Sequence, residues 1–138
     1  MYQFMIKKNM DETNTGFMSH NGGLSLKKID INNYEFSVTV KEIHLNTGGI
    51  AHGGFLSTIA DTGMGTAAHM LMGNKRCVTI SLDVKFISAA LLSQTLRGVI
   101  KIQKKTKSLI FITCEIFNIT GVVITASGIW KLLRLQKN

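Results

Sequence analysis

The chain has 138 residues, a length that fits one domain with a buried core. Hydrophobic residues make up 45% and charged residues 17%, a composition that excludes a disordered chain. The formal net charge of +8 is uneven: residues 71–138 hold eleven Lys or Arg and two acidic residues, against five Lys and six acidic residues in residues 1–70. A basic half predicts an anionic partner, which is a phosphorylated small molecule, a nucleic acid or an acidic surface.

The N-terminal part of the sequence predicts an extension followed by two strands. Residues 1–20 form the extension, with a short helix near the start of residues 1–14, and Asn21-Gly22-Gly23 is a turn signal. Residues 24–29 and 34–40 are predicted strands, the second because apolar and polar residues alternate along it. The N-terminus lacks an apolar run followed by a small-residue cleavage site, so we expect no signal peptide and a cytoplasmic protein.

A glycine-rich segment follows, since residues 48–73 hold seven of the thirteen glycines. Within it, residues 55–71 are predicted to form a helix, because small and apolar residues recur at helical spacing: Leu56, Ile59, Gly63 and Ala67. Small residues let a helix lie very close to a sheet.

Four strands are predicted after the helix, at residues 78–86, 93–104, 108–118 and 122–134. The last two are apolar enough to imitate a membrane span, but the β-branched residues and the break at Asn118-Ile-Thr-Gly121 indicate two strands and a tight turn. We therefore expect no membrane span. Two strands, one helix and four strands predict an α+β fold: a single domain, residues 1–138, in which an antiparallel sheet of five to six strands wraps around one long central helix.

One short motif carries chemistry. Asn46 precedes His52-Gly53-Gly54 at the predicted junction of strand and helix, where backbone amides lack partners within the helix and the helix dipole is positive. Such amides bind an anion, or a carbonyl oxygen that becomes negative during a reaction. Asp61 lies roughly 10–12 Å further along the helix, at 1.5 Å per residue. That separation is too large for one reacting atom, so we expect a second copy of the chain to bring its Asp61 to Gly53.

At these residues the sequence resembles the hotdog-fold acyl-CoA thioesterases of the phenylacetate-degradation (PaaI-like) type. The pattern Asn-x-x-Gly-x-x-His-Gly-Gly runs from Asn46 to Gly54 and is followed, after six residues, by Asp61. The segments at residues 79–90 and 120–128 resemble the strand after the helix and the closing hairpin of that family. The resemblance covers about residues 20–134 and implies the hotdog fold and hydrolysis of an acyl-CoA thioester.

The resemblance also implies a division of labour. The Gly53 amide polarises the thioester carbonyl with help from Asn46, while Asp61 from the partner subunit acts as general base on water or as nucleophile. Thr79 matches a hydroxyl residue that orients the water, and His52 holds the loop. Substrate contacts are expected from Gly54, Phe55 and Phe86, and contacts to the CoA phosphates from Lys104, Lys105 and Lys107.

The assembly expected is a homodimer or a dimer of dimers. No cofactor beyond the CoA of the substrate is expected, and no metal, because the spacing of His44, His52, Asp61 and His69 matches no compact zinc pattern. Cys77 and Cys114 are predicted to be reduced thiols.

Three alternatives remain open. The first is a non-catalytic acyl-CoA-binding module on the same fold. The second is a hotdog enoyl-CoA hydratase or dehydratase, and the third is a nucleic-acid binder. The last is suggested by charge alone, without a recognisable nucleic-acid-binding signature, and no nucleic-acid partner is expected.

Overall fold

The computed structural model describes residues 16–134, which form one antiparallel sheet and a long helix packed on it. The strands lie in the order β1-β2-β4-β5-β6-β3. The elements are α1 (Gly16–His20), β1 (Leu26–Asp30), β2 (Asn33–Thr39), a 3₁₀ turn (Glu42–His44), α2 (Gly53–Leu71), β3 (Cys77–Phe86), β4 (Thr95–Lys105), β5 (Leu109–Asn118) and β6 (Gly121–Leu132).

This architecture confirms the predicted α+β hotdog fold. Each of the six predicted strands is present, with its ends within two residues of the prediction. Helix α2 begins at Gly53, two residues earlier than predicted, because the His52 side chain caps its first turn. The short helix predicted within residues 1–14 lies outside the described residues.

The helix lies close to the sheet because glycine leaves room for an aromatic ring between them. The Phe36 side chain is buried between Gly63 on α2 and Gly98 on β4. A Cβ on Gly63 would come within 2.7 Å of the Phe36 ring, and a Cβ on Gly98 would overlap the same ring. Glycine at both positions therefore sets how closely α2 approaches the sheet, and with it the depth at which α2 places its side chains.

A β-bulge in β3 decides which side chain of that strand faces α2. The register between β3 and β6 shifts between Thr79 and Ser81, so that Ile80 is an extra residue. Thr79 pairs with Trp130, which is fully buried on the helix side of the sheet. Thr79 therefore faces α2.

The two outer strands of the sheet differ in character. Within residues 16–134, β3 pairs only with β6, and large apolar side chains are exposed along it: Val78, Ile80, Leu82 and Phe86. β1 is five residues long, carries the exposed Lys27 and Lys28, and has an irregular register between Lys28 and Asp30. An unpaired strand edge is a template for pairing with another chain, and charged side chains oppose such pairing. Of the two edges, β3 is the one suited to association.

Candidate active site

The loop before α2 is organised by the side chain of Asn46. Its Oδ1 accepts hydrogen bonds from the amides of Gly48 (2.9 Å) and Ile50 (3.2 Å), and the Asn46 amide donates to the Ile50 carbonyl at 2.8 Å. These bonds close the loop on itself. Oδ1 is engaged as an acceptor within the loop, which leaves the Nδ2 group, a donor, as the part of the Asn46 side chain available to a ligand.

The first turn of α2 leaves one glycine amide available. His52 Nδ1 accepts a hydrogen bond from the Gly54 amide at 2.8 Å, and the His52 carbonyl accepts from the Leu56 amide at 3.1 Å. The Gly53 amide donates to no other residue within 16–134. The sequence suggested that both glycine amides face a ligand, whereas the histidine cap engages that of Gly54. Of the two glycines, Gly53 is the one whose amide remains a free donor at the positive end of the helix dipole.

A cavity of about 260 Å³ opens beside this amide. The Phe86 ring forms one wall and lies so close to Gly53 that a Cβ there would come within 3.2 Å of it. The neighbouring wall is held to β6, because the Ile87 amide donates to the Val123 carbonyl at 2.8 Å. The residues that line the cavity are Asn46, Ile50, Ala51, Gly53, Leu56, Phe86, Ile87, Ser88 and Ala89.

Asp61 and Thr79 form a second polar pair, away from the cavity. The Thr79 hydroxyl donates to Asp61 Oδ1 at 2.8 Å, and the aspartate is half-buried. Asp61 is eight residues after Gly53 on the same helix, which corresponds to roughly 12 Å along the axis. One chain therefore presents two separate pairs of polar groups. Asn46 and the Gly53 amide lie at the start of α2, and Asp61 lies further along α2 with Thr79 of β3 beside it.

The predicted phosphate-binding lysines lie at the far end of the sheet from the cavity. Lys104 and Lys105 end β4 and Lys107 lies in the turn that follows; all three are exposed, and strand register places Lys105 in the same row as Thr79. The cavity adjoins Phe86, seven residues further along β3, which is roughly 23 Å at 3.3 Å per residue. A single chain does not bring these lysines to its own cavity.

Phe55, predicted to contact the substrate, packs in the core of the single chain. Its ring stacks on the ring of His44 with the centroids 3.7 Å apart and the planes 10° from parallel. Both residues are buried. Sequence reasoning assigned His44 no role in the oxyanion chemistry, and its place two residues before Asn46 is the one signal that could have indicated such a role.

Two other chemistries find little support in residues 16–134. Burial raises the pKa of the Cys114 thiol to about 12, and the pKa of Cys77 is raised by the same cause, so neither thiol ionises readily near neutral pH. No three His, Cys, Asp or Glu side chains in this range are grouped as metal ligands are.

No helix within residues 16–134 has both the length and the apolar character needed to cross a bilayer.

Comparison with known proteins gives the class to which this fold and site belong. Residues 48–125 match a family model described as the thioesterase superfamily. A curated relative from Pseudomonas aeruginosa, named "Putative esterase PA0474", is 32% identical over 97 residues, which cover 70% of this chain and 72% of that protein. The chain therefore belongs to the thioesterase superfamily and is a thioester hydrolase.

Two solved structures show how far the fold is shared. The E. coli PaaI protein from the phenylacetic acid degradation operon superimposes with a TM-score of 0.74 at 20% identity, covering 80% of each chain. A hypothetical thioesterase from Streptococcus pneumoniae TIGR4, solved with coenzyme A, has a TM-score of 0.74 at 21% identity and covers 83% of this chain and 88% of its own. At these identities the likeness is one of fold.

Proposed function

We propose that the protein hydrolyses acyl-CoA thioesters at a site shared between two copies of the chain. The observation that carries this proposal is the division of the polar groups into two sets on one helix. Hydrolysis needs donors at the carbonyl oxygen and a base for the attacking water at the same carbon. Gly53 and Asp61 are roughly 12 Å apart along α2, so they cannot serve one carbon within a single chain.

The exposed edge of β3 supports a two-fold pairing that joins the two sets. Thr79 near the start of β3 lies beside Asp61, and Phe86 at its end lies beside Gly53. If β3 pairs antiparallel with β3 of a second copy, the start of one strand meets the end of the other. The partner's Asp61 then comes to the Gly53 amide, and two identical sites form across the interface.

In such a site, the Gly53 amide and Asn46 Nδ2 donate to the thioester oxygen; we call these two donors the oxyanion corner. The partner's Asp61 takes a proton from water as the hydroxide adds to the carbonyl carbon. The tetrahedral intermediate collapses, the C–S bond breaks, and the CoA thiolate recovers the proton. In a second route, the carboxylate attacks the carbon itself, the C–S bond breaks and the CoA thiolate leaves; water then hydrolyses the resulting anhydride, and the proton released in that step ends on the thiolate. In both routes Thr79 holds the carboxylate, and His52 holds the first turn of α2.

The same pairing gives the lysines a place in the site. Because Lys105 shares a row of the sheet with Thr79, the antiparallel partner brings its own lysines to the end of the assembly that holds this chain's cavity. Three strand spacings, or roughly 14 Å, separate β4, which carries Lys105, from β3. We propose that Lys104, Lys105 and Lys107 of the partner contact the CoA phosphates there, and that no cofactor takes part.

A panel of acyl-CoA thioesters with detection of the released thiol tests the proposal. We expect the wild type to release CoA, and Asp61→Asn to lose roughly 10²–10⁴-fold in kcat while it still binds substrate, because the base is gone but the oxyanion corner remains. Asp30→Asn is the matched control, since Asp30 is an exposed acid at the end of β1. No CoA release from any acyl group would overturn the enzyme assignment.

The same panel separates the alternatives on this fold. Saturable binding of acyl-CoA without thiol release would indicate a binding module. Loss of enoyl absorbance from an enoyl-CoA without thiol release would indicate a hydratase. Either result would contradict the proposed hydrolysis.

A further inference from the structure

His44 joins three segments of the chain around the start of α2. It is 2% exposed. Its Nδ1 lies 2.9 Å from the Lys41 amide and accepts that hydrogen bond, so the ring proton is on Nε2, which donates to the Asn21 carbonyl at 2.7 Å. One face of the ring stacks on Phe55 in the first turn of α2. The side chain is therefore fully bonded in its neutral form, in one tautomer and one orientation.

The backbone of His44 reaches the oxyanion corner from the other direction. Its carbonyl accepts a hydrogen bond from the His52 amide at 2.7 Å. His52 in turn caps the Gly54 amide, which leaves Gly53 as the glycine of that turn with a free amide donor. Asn46 follows His44 by two residues on the same loop. His44 is therefore linked to both donors: to Asn46 through two residues of chain, and to the turn that holds Gly53 through the hydrogen bond with His52.

From this geometry we propose that His44 is a positioning residue, which holds Asn46 and the Gly53 amide in the arrangement that receives the carbonyl oxygen. This inference rests on the proposed function for its catalytic consequence. Oxyanion donors act through preorganised geometry, and a displacement of about 1 Å can cost roughly 10²-fold in rate. His44 itself touches no substrate.

The chain offers a matched control in its other buried histidine. His69 lies in the last turn of α2, is 8% exposed, and has one ring hydrogen bond, from Nδ1 to the Lys75 carbonyl at 2.8 Å. Its Nε2 has no partner among the described residues. Replacing either histidine with Phe changes a buried imidazole into a buried ring, but only one of the two lies at the oxyanion corner.

The experiment compares His44→Phe, His44→Asn and His69→Phe with the wild type, at a temperature where each is folded. His44→Phe keeps the stack on Phe55 and loses both ring hydrogen bonds, whereas His44→Asn keeps an acceptor near the Lys41 amide. One readout is kcat and KM for the best thioester of the panel. The second is hydrogen exchange of the Gly54 and Leu56 amides, followed by NMR, which does not depend on activity.

We expect His44→Phe to lower kcat by about tenfold or more with KM within about twofold, and to speed exchange of the Gly54 amide by about tenfold. His44→Asn should recover part of both losses, and His69→Phe should leave both at the wild-type level. If His44→Phe does not fold, His44→Asn is expected to show smaller losses of the same kind, and wild-type values for it would overturn the proposal.

Unchanged exchange and unchanged kcat in His44→Phe would likewise overturn it, as would equal losses in His69→Phe. A wild type that hydrolyses no thioester would refute the proposed function instead. The exchange measurement would then still decide whether His44 positions the start of α2.

Discussion

The hydroxyl of Thr79 donates a 2.8 Å hydrogen bond to Asp61 Oδ1, although the two residues are 18 positions apart and belong to different elements. The bond exists because a bulge at Ile80 puts Thr79 on the helix side of β3. A carboxylate held in this way keeps one orientation, and its Oδ2 remains free to accept a proton. The pairing therefore links a local irregularity of an outer strand to the geometry of the proposed base.

Removing the hydroxyl should weaken catalysis more than binding. We expect Thr79→Val to lower kcat by about tenfold while KM stays within about twofold, because the Asp61 carboxylate loses its fixed orientation. Thr79→Ser keeps a donor and should retain most of the activity. Steady-state kinetics on one acyl-CoA ester measure both parameters, and equal kcat values for the Val and Ser variants would contradict the assigned role.

Charging the exposed edge of β3 should separate the two copies. We expect the double variant Ile80→Lys/Leu82→Lys to be a folded monomer without thioesterase activity, because like charges then oppose each other across the two-fold axis. Light scattering gives the mass, and circular dichroism confirms the fold. Ile29→Lys is the control, since Ile29 is 50% exposed on the other outer strand. A monomer with full activity would exclude the shared site.

A side chain at Gly98 should destabilise the fold through Phe36. Gly98→Ala places a methyl group where the Phe36 ring lies, and we expect it to lower the free energy of unfolding by about 1–3 kcal/mol. Phe36→Leu frees part of that space, so the double variant should lose less than the sum of the two single changes. Urea denaturation of the four proteins measures the coupling, and simple additivity would show that the ring and the methyl group do not compete.

Stability should fall at alkaline pH through Cys114. Burial raises the pKa of this thiol to about 12 in the folded chain, above the usual value near 9. The folded state therefore keeps a proton that the unfolded state loses, and the stabilisation present below pH 9 is lost as the pH rises from about 9 towards 12, up to about 4 kcal/mol. Urea denaturation at several pH values measures this loss, and the free energy of unfolding of Cys114→Ala should fall less steeply between pH 9 and 12 than that of the wild type. Parallel curves would refute this contribution.

Much of the fold was predictable because its signals are local. The small residues along α2 recur at helical spacing, and the strands show alternation or short apolar runs between turn residues, so element types and order follow from sequence. The motif from Asn46 to Gly54 likewise lies in one segment, so the sequence alone supports the hypothesis that the start of α2 receives a developing negative charge.

Other features depend on contacts between distant segments and have no local signal. The engagement of Gly54 by His52 and the stacking of Phe55 on His44 become visible only when the loop and helix are placed together. The position of Lys105 relative to the cavity follows from strand register across four strands. Residue type predicted that these groups were polar, apolar or basic, but the fold decides what each one meets.

The character of β1 limits what the protein can become once β3 is joined to a second copy. Each outer margin of the joined sheet then ends in a short strand whose two lysines repel an incoming chain and whose uneven register spoils a continuous ladder. In such a joined sheet β1 would oppose further strand addition, so pairing through β3 would favour a closed pair of chains over a fibre.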